Sequence, residues 1–196
     1  MKIYDISQEV FTSKVYPGDK SPKIDEDMRI SNGDEYNLTS FSMCAHNGTH
    51  VDAPFHYFEN GKTIDQIDLE KFIGNAYLVE HDGLISKDDA LNILIKAKKI
   101  DNDCYKRILI KGNAELTLEA AQIFANEEIF LFGNESQTVG SEMSEDSIHQ
   151  CLLNAEIVIL EGLVLSDVKE GMYLLNAAPI NLGVSDGAPC RAVLIE

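Results

Sequence analysis

Tryptophan is absent from the 196-residue chain, and basic residues are scarce, with 16 Lys and Arg against 33 Asp and Glu. The formal charge of −17 argues against binding a phosphate backbone, which requires concentrated Lys and Arg. No apolar run approaches the roughly 20 residues that cross a bilayer, so no spanning helix and no membrane partner are expected. Cys44, Cys104, Cys151 and Cys190 form no Cys-x-x-Cys pair, which removes support for a zinc ribbon or a thioredoxin-type site. Most of them read as small buried hydrophobes, and Cys44, two residues before His46, is the one candidate for proximity to a site. The first residues, Met-Lys-Ile-Tyr-Asp-Ile-Ser, carry acid and hydroxyl groups where a signal peptide has an apolar core, so a cytoplasmic address is the expectation.

What is present is ordinary for a globular protein, at 44% hydrophobic and 25% charged. The length suits one domain over residues 1–196. Lys2 to Ser7 alternates like a strand, Val15 to Asp19 reads as a turn, and Ser21 to Glu35 as an acidic loop or loose hairpin. Strands are expected over 74–80, 107–111, 128–132, 157–160, 172–177 and 191–195, and helices from Ser86 as N-cap, over 117–126 and over 145–154. Strands alternating with helices in the middle indicate an α/β fold with a mixed, partly parallel sheet, flanking helices and antiparallel additions at the ends.

Chemistry concentrates in His46-Asn-Gly-Thr-His50-Val-Asp52-Ala-Pro-Phe-His56, which holds three of the five histidines. In an extended chain, alternate side chains share a face, so His46, Gly48, His50, Asp52 and His56 would point the same way. A straight strand cannot make a metal site of them. At about 3.3 Å per residue, His46 and Asp52 would lie roughly 20 Å apart, whereas ligands sit about 2 Å from their metal. The chain must bend, and Gly48 permits the bend while leaving space beside a ligand; Pro54 fixes the exit. A helix would also bring His46 and His50 onto one face, but Gly48 and Pro54 disfavour it. Histidine suits zinc and its neighbours, and an aspartate can bridge two ions.

Two further residues are open between a functional and a packing role. His149 borders the apolar stripe Ile148, Cys151, Leu152, Ala155 of the third expected helix. Glu161 follows the apolar strand Ile157 to Leu160, and the carboxyl end of a buried strand is where α/β folds tend to carry functional groups. His81, beside Asp82-Gly83, reads as an exposed turn residue.

The pattern His46-x-Gly48-Thr49-His50-x-Asp52-Ala53-Pro54-x-His56 resembles the signature of the cyclase-like metal-dependent hydrolases, a family that includes bacterial kynurenine formamidases. Tyr16-Pro17-Gly18-Asp19 resembles the family's upstream turn, His149 to Asp167 its C-terminal ligand segment, and Ala188 to Val193 its last strand. The resemblance implies a swivelling β/β/α fold and a homodimer or homotetramer. It also implies two divalent ions, Zn2+ first and Mn2+ second. His46, His50 and Asp52 would hold one ion, Asp52 would bridge to the other, His149 would bind the second, and Glu161 would bridge both. His56 is cast as the general acid/base. The departure is Tyr16, which stands where formamidases of the family carry a tryptophan that helps to hold the aromatic substrate.

The resemblance thus implies hydrolysis of a small-molecule aryl formamide, N-formylkynurenine first, in which the metal lowers the pKa of water from 15.7 to about 7 and His56 protonates the leaving amine. Tyrosine can still stack on an aromatic ring, and a cyclic amide such as isatin is the rival substrate. A structural metal protein without turnover is the rival of another kind; such sites are usually closed by four protein ligands.

Overall fold

The computed structural model describes residues 1–141 and 143–196. In chain order the strands are β1 (Ile3–Asp5), β2 (Lys23–Met28), β3 (Leu38–Ser42), β4 (His50–Asp52), β5 (Ile73–Glu80), β6 (Gly83–Ile85), β7 (Arg107–Lys111), β8 (Ala114–Leu116), β9 (Leu131–Asn134), β10 (Val158–Glu161), β11 (Gly171–Asn176), β12 (Gly187–Pro189) and β13 (Val193–Ile195). The helices are α1 (Lys87–Ile100), α2 (Leu118–Asn126) and α3 (Glu145–Asn154). Nine strands make one sheet in the order β1-β13-β11-β5-β7-β9-β10-β4-β12. Its centre, β5-β7-β9-β10, is parallel, and both flanks are antiparallel. The mixed α/β architecture read from the pattern of elements is therefore the one observed.

Alternation divides the sheet into two faces. Ile108, Ile110, Phe132 and Ile159 pack with buried side chains of α1, α2 and α3, while Leu109, Leu131, Val158 and Leu160 pack on the other face against Phe72, Leu165 and Ile6. Burial on both faces is why the central strands read as unbroken apolar runs. α1 starts as its sequence suggests: Ser86 Oγ accepts from the Asp89 backbone N–H and Asp89 Oδ2 accepts from Ser86 N–H, a capping box. Lys98 and Lys99 lie in its last turn, where the helix dipole favours cations.

One sequence expectation shifts, and one open alternative is decided in favour of the hairpin. The strand expected over 128–132 begins only at Leu131, because Glu128 takes a positive φ of 51° at the exit of α2 and the chain must first turn. The polar stretch 21–35 forms one arm of a hairpin, β2 pairing with β3. Every residue of β3 is exposed, so no buried face imposed an alternating pattern on it. No helix among the described residues is long and apolar enough to cross a membrane.

Candidate metal centre

The short strand β4 lies between β10 and β12, antiparallel to both, and this register assembles the site. His50 pairs with Glu161, and Asp52 pairs with Ile159 on one side and Gly187 on the other. Ile159 faces the helices, so Asp52 does too, and so do His50 and Glu161 two residues along their strands. Val51, between the two ligand candidates, points into the opposite core with Leu160 and Ala188. α3 packs over the helical face through Ile148, Leu152 and Leu153, and brings the buried His149 to the same place. Residues about a hundred positions apart in sequence are thus neighbours because one strand pair and one helix put them there.

The bend required before β4 is present. His46 lies in a turn, and Gly48 has φ +69°, a conformation L side chains rarely adopt. The other reason for glycine, room beside a ligand, does not hold: a Cβ at Gly48 would meet Ser13 Oγ at 3.5 Å, an ordinary contact away from the cluster. Thr49 secures the bend, its hydroxyl donating to Gly162 O at 2.6 Å and accepting from Gln8 N–H at 2.8 Å. Gln8 Nε2 donates to the same carbonyl at 2.9 Å, which fixes the residue next to Glu161.

Two imidazoles converge on two carboxylates. His50 Nε2 lies 3.5 Å from Asp52 Oδ1 and 3.3 Å from Glu161 Oε2, and His149 Nε2 lies 3.6 Å from Asp52 Oδ2 and 3.4 Å from Glu161 Oε1. Each ring is oriented from behind by a backbone carbonyl, Nδ1–H of His50 donating to Gly48 O at 3.0 Å and Nδ1–H of His149 to Glu145 O at 2.8 Å. Nε2 is thereby left as the free ligand atom of each ring. His50 Nε2 and Glu161 Oε1 are buried without a hydrogen-bond partner, and buried polar atoms are ordinarily satisfied. The spacing matches that of ligands around a cation. Two ligands about 2.0–2.1 Å from one ion at a tetrahedral angle are about 3.3–3.4 Å apart, longer than a charge-assisted hydrogen bond. The donor set therefore fits divalent cations. His46, His50 and Asp52 form one group whose ligand atoms lie within 4.8 Å of one another, and Asp52, His149 and Glu161 form a second.

His46 is less prepared than the others. Its Nδ1 is 2.8 Å from Asp52 Oδ1 and its Nε2 is 2.9 Å from Asp186 Oδ2, so ligation requires it to give up one of these bonds. Electrostatics runs the same way across the cluster. Burial opposes charge on His46, but hydrogen bonds to Asp186 and Asp52 outweigh it and push its pKa up to about 11. Burial likewise opposes charge on His149, and the facing carboxylates of Asp52 and Glu161 raise it to about 10. His50 is raised despite burial by Glu161 and Asp52, and Asp52 is held well below the carboxylate range, burial being overcome by His149 and His46. The carboxylates hold positive charge between them, and a divalent cation supplies that charge when it displaces the ring protons.

His56 stands apart, 29% exposed, its Nδ1 3.2 Å from Asp186 Oδ2 and its ring 4.1 Å from that of His46. His56, Tyr16, Tyr57, Asp19 and Glu145 line the same cavity as the four buried groups, about 210 Å³ in volume. A cavity of about 150 Å³ already admits benzene, so one aromatic ring fits. Tyr16 donates to Glu145 Oε1 at 2.9 Å. Tyr57 stacks on His149 with centroids 5.2 Å apart and donates to Asp146 at 2.8 Å. Cys44 belongs to none of the metal-type clusters among the described residues.

Asp186, Tyr57 and Glu145 escape a reading of the sequence. Tyr57 adjoins the histidine stretch, and Glu145 stands four residues before His149, where a helical backbone carbonyl meets its side chain. Asp186 carries no such signal beyond the Asp-Gly pair that ends at β12. The glycine of that pair makes room for a ligand candidate, since a Cβ at Gly187 would lie 2.6 Å from His46 Cε1. Gly187→Ala is expected to push His46 aside and weaken metal affinity by about 10–100-fold, the scale of a disturbed ligand-orienting contact, in a competition titration against a chelator.

Residues 4–140 match the family model Cyclase. That stretch carries His46, His50, Asp52 and His56 and ends before His149. A kynurenine formamidase from Salinibacter ruber is 34% identical over 99% of this chain and 97% of its own length. A solved structure described as a predicted metal-dependent hydrolase from Bacillus stearothermophilus superposes with a TM-score of 0.80 at 28% identity, covering 98% of this chain and 97% of that one. Isatin hydrolase A from Ralstonia solanacearum shares the fold, with a TM-score of 0.82 at 20% identity over 100% of this chain and 92% of its own.

Proposed function

The chain belongs to the Cyclase family, and from that premise we propose that it is a metal-dependent amide hydrolase, acting on an aryl formamide such as N-formylkynurenine to release formate and the arylamine. The observation that carries this reading is the convergence of His50 Nε2 and His149 Nε2 on Asp52 and Glu161, with buried atoms left unpaired, beside an aromatic-lined cavity that contains His56.

Two divalent ions are proposed, zinc first and manganese second: one would be held by His46, His50 and Asp52, the other by Asp52 and His149, with Glu161, which faces both His50 and His149, serving both. When bound, such an ion supplies charge that polarises a carbonyl and brings the pKa of water to about 7. The chain's own groups do the rest. The oxygen of the attacking water joins the formyl carbon, and a proton from that water passes to His56 Nε2. As the carbon–nitrogen bond breaks, His56 returns the proton to the departing amine nitrogen. Imidazole suits both transfers because its ordinary pKa lies near neutrality.

Tyr16 and Tyr57 border the cavity and are the groups proposed to flank the aromatic ring. Tyr16→Ala is expected to raise KM for an aryl formamide about tenfold, from an aromatic contact of about 1–1.5 kcal/mol, with a smaller change in kcat. Steady-state kinetics on both proteins reads this directly.

We read residues 1–196 as a single catalytic domain working in the cytoplasm as a homodimer or homotetramer. Ile24, Leu38 and Phe41 of the hairpin are exposed, and Phe11 meets Phe41 edge-on at 6.3 Å, an apolar patch that self-association would cover. Sedimentation equilibrium measures the assembly. Parallel assays with N-formylkynurenine and isatin test the substrate: formate release from the first with no turnover of the second supports the formamidase reading, and the reverse assigns the site to cyclic amides.

A further inference from the structure

We propose that Asp186 is the positioning residue of His56, selecting the ring nitrogen that exchanges protons with the substrate; the proposal rests on the reading of His56 as the proton-transfer group. His56 has few restraints of its own. It sits at the end of a short helical turn, Pro54–His56, partly exposed at the cavity, with the His46 ring against it at 4.1 Å and the Tyr57 ring edge-on at 4.9 Å. Neither ring contact fixes the position of a nitrogen or of its proton, because a half-turn about the Cβ–Cγ bond exchanges Nδ1 with Cδ2 and Nε2 with Cε1 while leaving the ring plane in place. Asp186 does distinguish them. Its Oδ2 accepts from Nδ1–H at 3.2 Å, which leaves Nε2 as the nitrogen without a protein partner among the described residues.

The carboxylate is well placed to hold this choice. Its backbone is fastened on both sides of the site, Ala53 N–H donating to Asp186 O at 2.8 Å and Ile64 N–H to Ser185 O at 3.0 Å. Ala53 immediately precedes the turn that carries His56, so carboxylate and imidazole are anchored to the same stretch of chain. The same Oδ2 accepts from His46 Nε2 at 2.9 Å, and one oxygen therefore holds both rings. A carboxylate on Nδ1–H fixes the tautomer with Nε2 ready to take a proton, and it stabilises the ring once that proton has arrived. The acid/base unit is then an imidazole and its carboxylate, whose two members come from positions 56 and 186.

The test compares the wild-type enzyme with Asp186→Ala, Asp186→Asn, His56→Ala and the double variant His56→Ala/Asp186→Ala, all metal-loaded. The substrates are 4-methoxyformanilide and 4-nitroformanilide, whose leaving amines differ in their need for a proton. The Asp186 side chain is 41% exposed, so its removal opens no buried cavity. Asp186→Ala is expected to keep its metal and its KM within about twofold and to lose about 10²-fold in kcat on the 4-methoxy compound, with a loss about tenfold smaller on the 4-nitro compound. Asp186→Asn should fall between wild type and Asp186→Ala. In the His56→Ala background the same change should cost less than about threefold, because a residue acting through His56 has nothing left to act on. Equal losses on both substrates, an unchanged kcat, or a loss that disappears when excess metal is added would overturn the proposal, the last by assigning Asp186 to His46 alone. A His56→Ala enzyme with unaltered leaving-group dependence would instead overturn the role of His56, and that arm is read independently of Asp186.

Discussion

His56→Ala is expected to lower kcat for an aryl formamide by about 10²–10⁴-fold while leaving the bound metal unchanged, the range that a positioned acid/base contributes. The separation of these two effects follows from geometry. His50 and His149 are buried and aim Nε2 at both carboxylates, whereas His56 is partly exposed and, among the described residues, pairs through its ring nitrogens with Asp186 alone. His46, His56 and Asp186 also form a metal-type group by distance, but their atoms are already joined at 2.9 and 3.2 Å, and none of them is left unpaired. Within the cluster, the buried ligand-type atoms left without a partner are His50 Nε2 and Glu161 Oε1, and a cation there would satisfy them. Elemental analysis beside steady-state kinetics separates the effects, and loss of metal in His56→Ala would make this residue a ligand.

Asp52→Ala is expected to lose both the metal and all measurable turnover. Asp52 Oδ1 faces His46 and His50, and its Oδ2 faces His149, so one buried carboxylate serves both proposed ion positions. Among the described residues no other side chain reaches all three rings in this way; Glu161 faces His50 and His149 only. The substitution also leaves buried imidazoles short of their counter-charge, a change that costs about 3–5 kcal/mol when one partner of a buried pair is removed. A lowered Tm of the metal-free variant would register that cost. Retention of both ions in Asp52→Ala would contradict the shared role.

Which features were legible in the sequence follows from where their determinants lie. The central strands are legible because both faces are buried, and α1 because Ser86 caps it ahead of an acidic first turn and an apolar stripe. The β2 arm of the hairpin reads equally as loop or strand because its side chains meet solvent, so burial imposes no period on it. In the site, His46, His50, Asp52 and His56 were visible as a crowded local pattern, and arithmetic on a straight strand already required a bend. That bend occurs at Gly48, although its cause is backbone conformation and not space for a ligand. His149 and Glu161 are open between ligand and packing roles on spacing alone, and only the resemblance singles them out; the β4–β10 register and the seat of α3 are what bring them together. Asp186 could not be singled out among 33 acidic residues, because only the pairing of β12 with β4 carries it to the two histidines.

Formate release from N-formylkynurenine, followed on one preparation as isolated, after exhaustive chelation and after zinc or manganese is restored, tests metal-dependent hydrolysis most directly. Turnover should vanish on chelation and return with the metal, rising until two ions are bound per chain. Undiminished formate release from the chelated protein would contradict it.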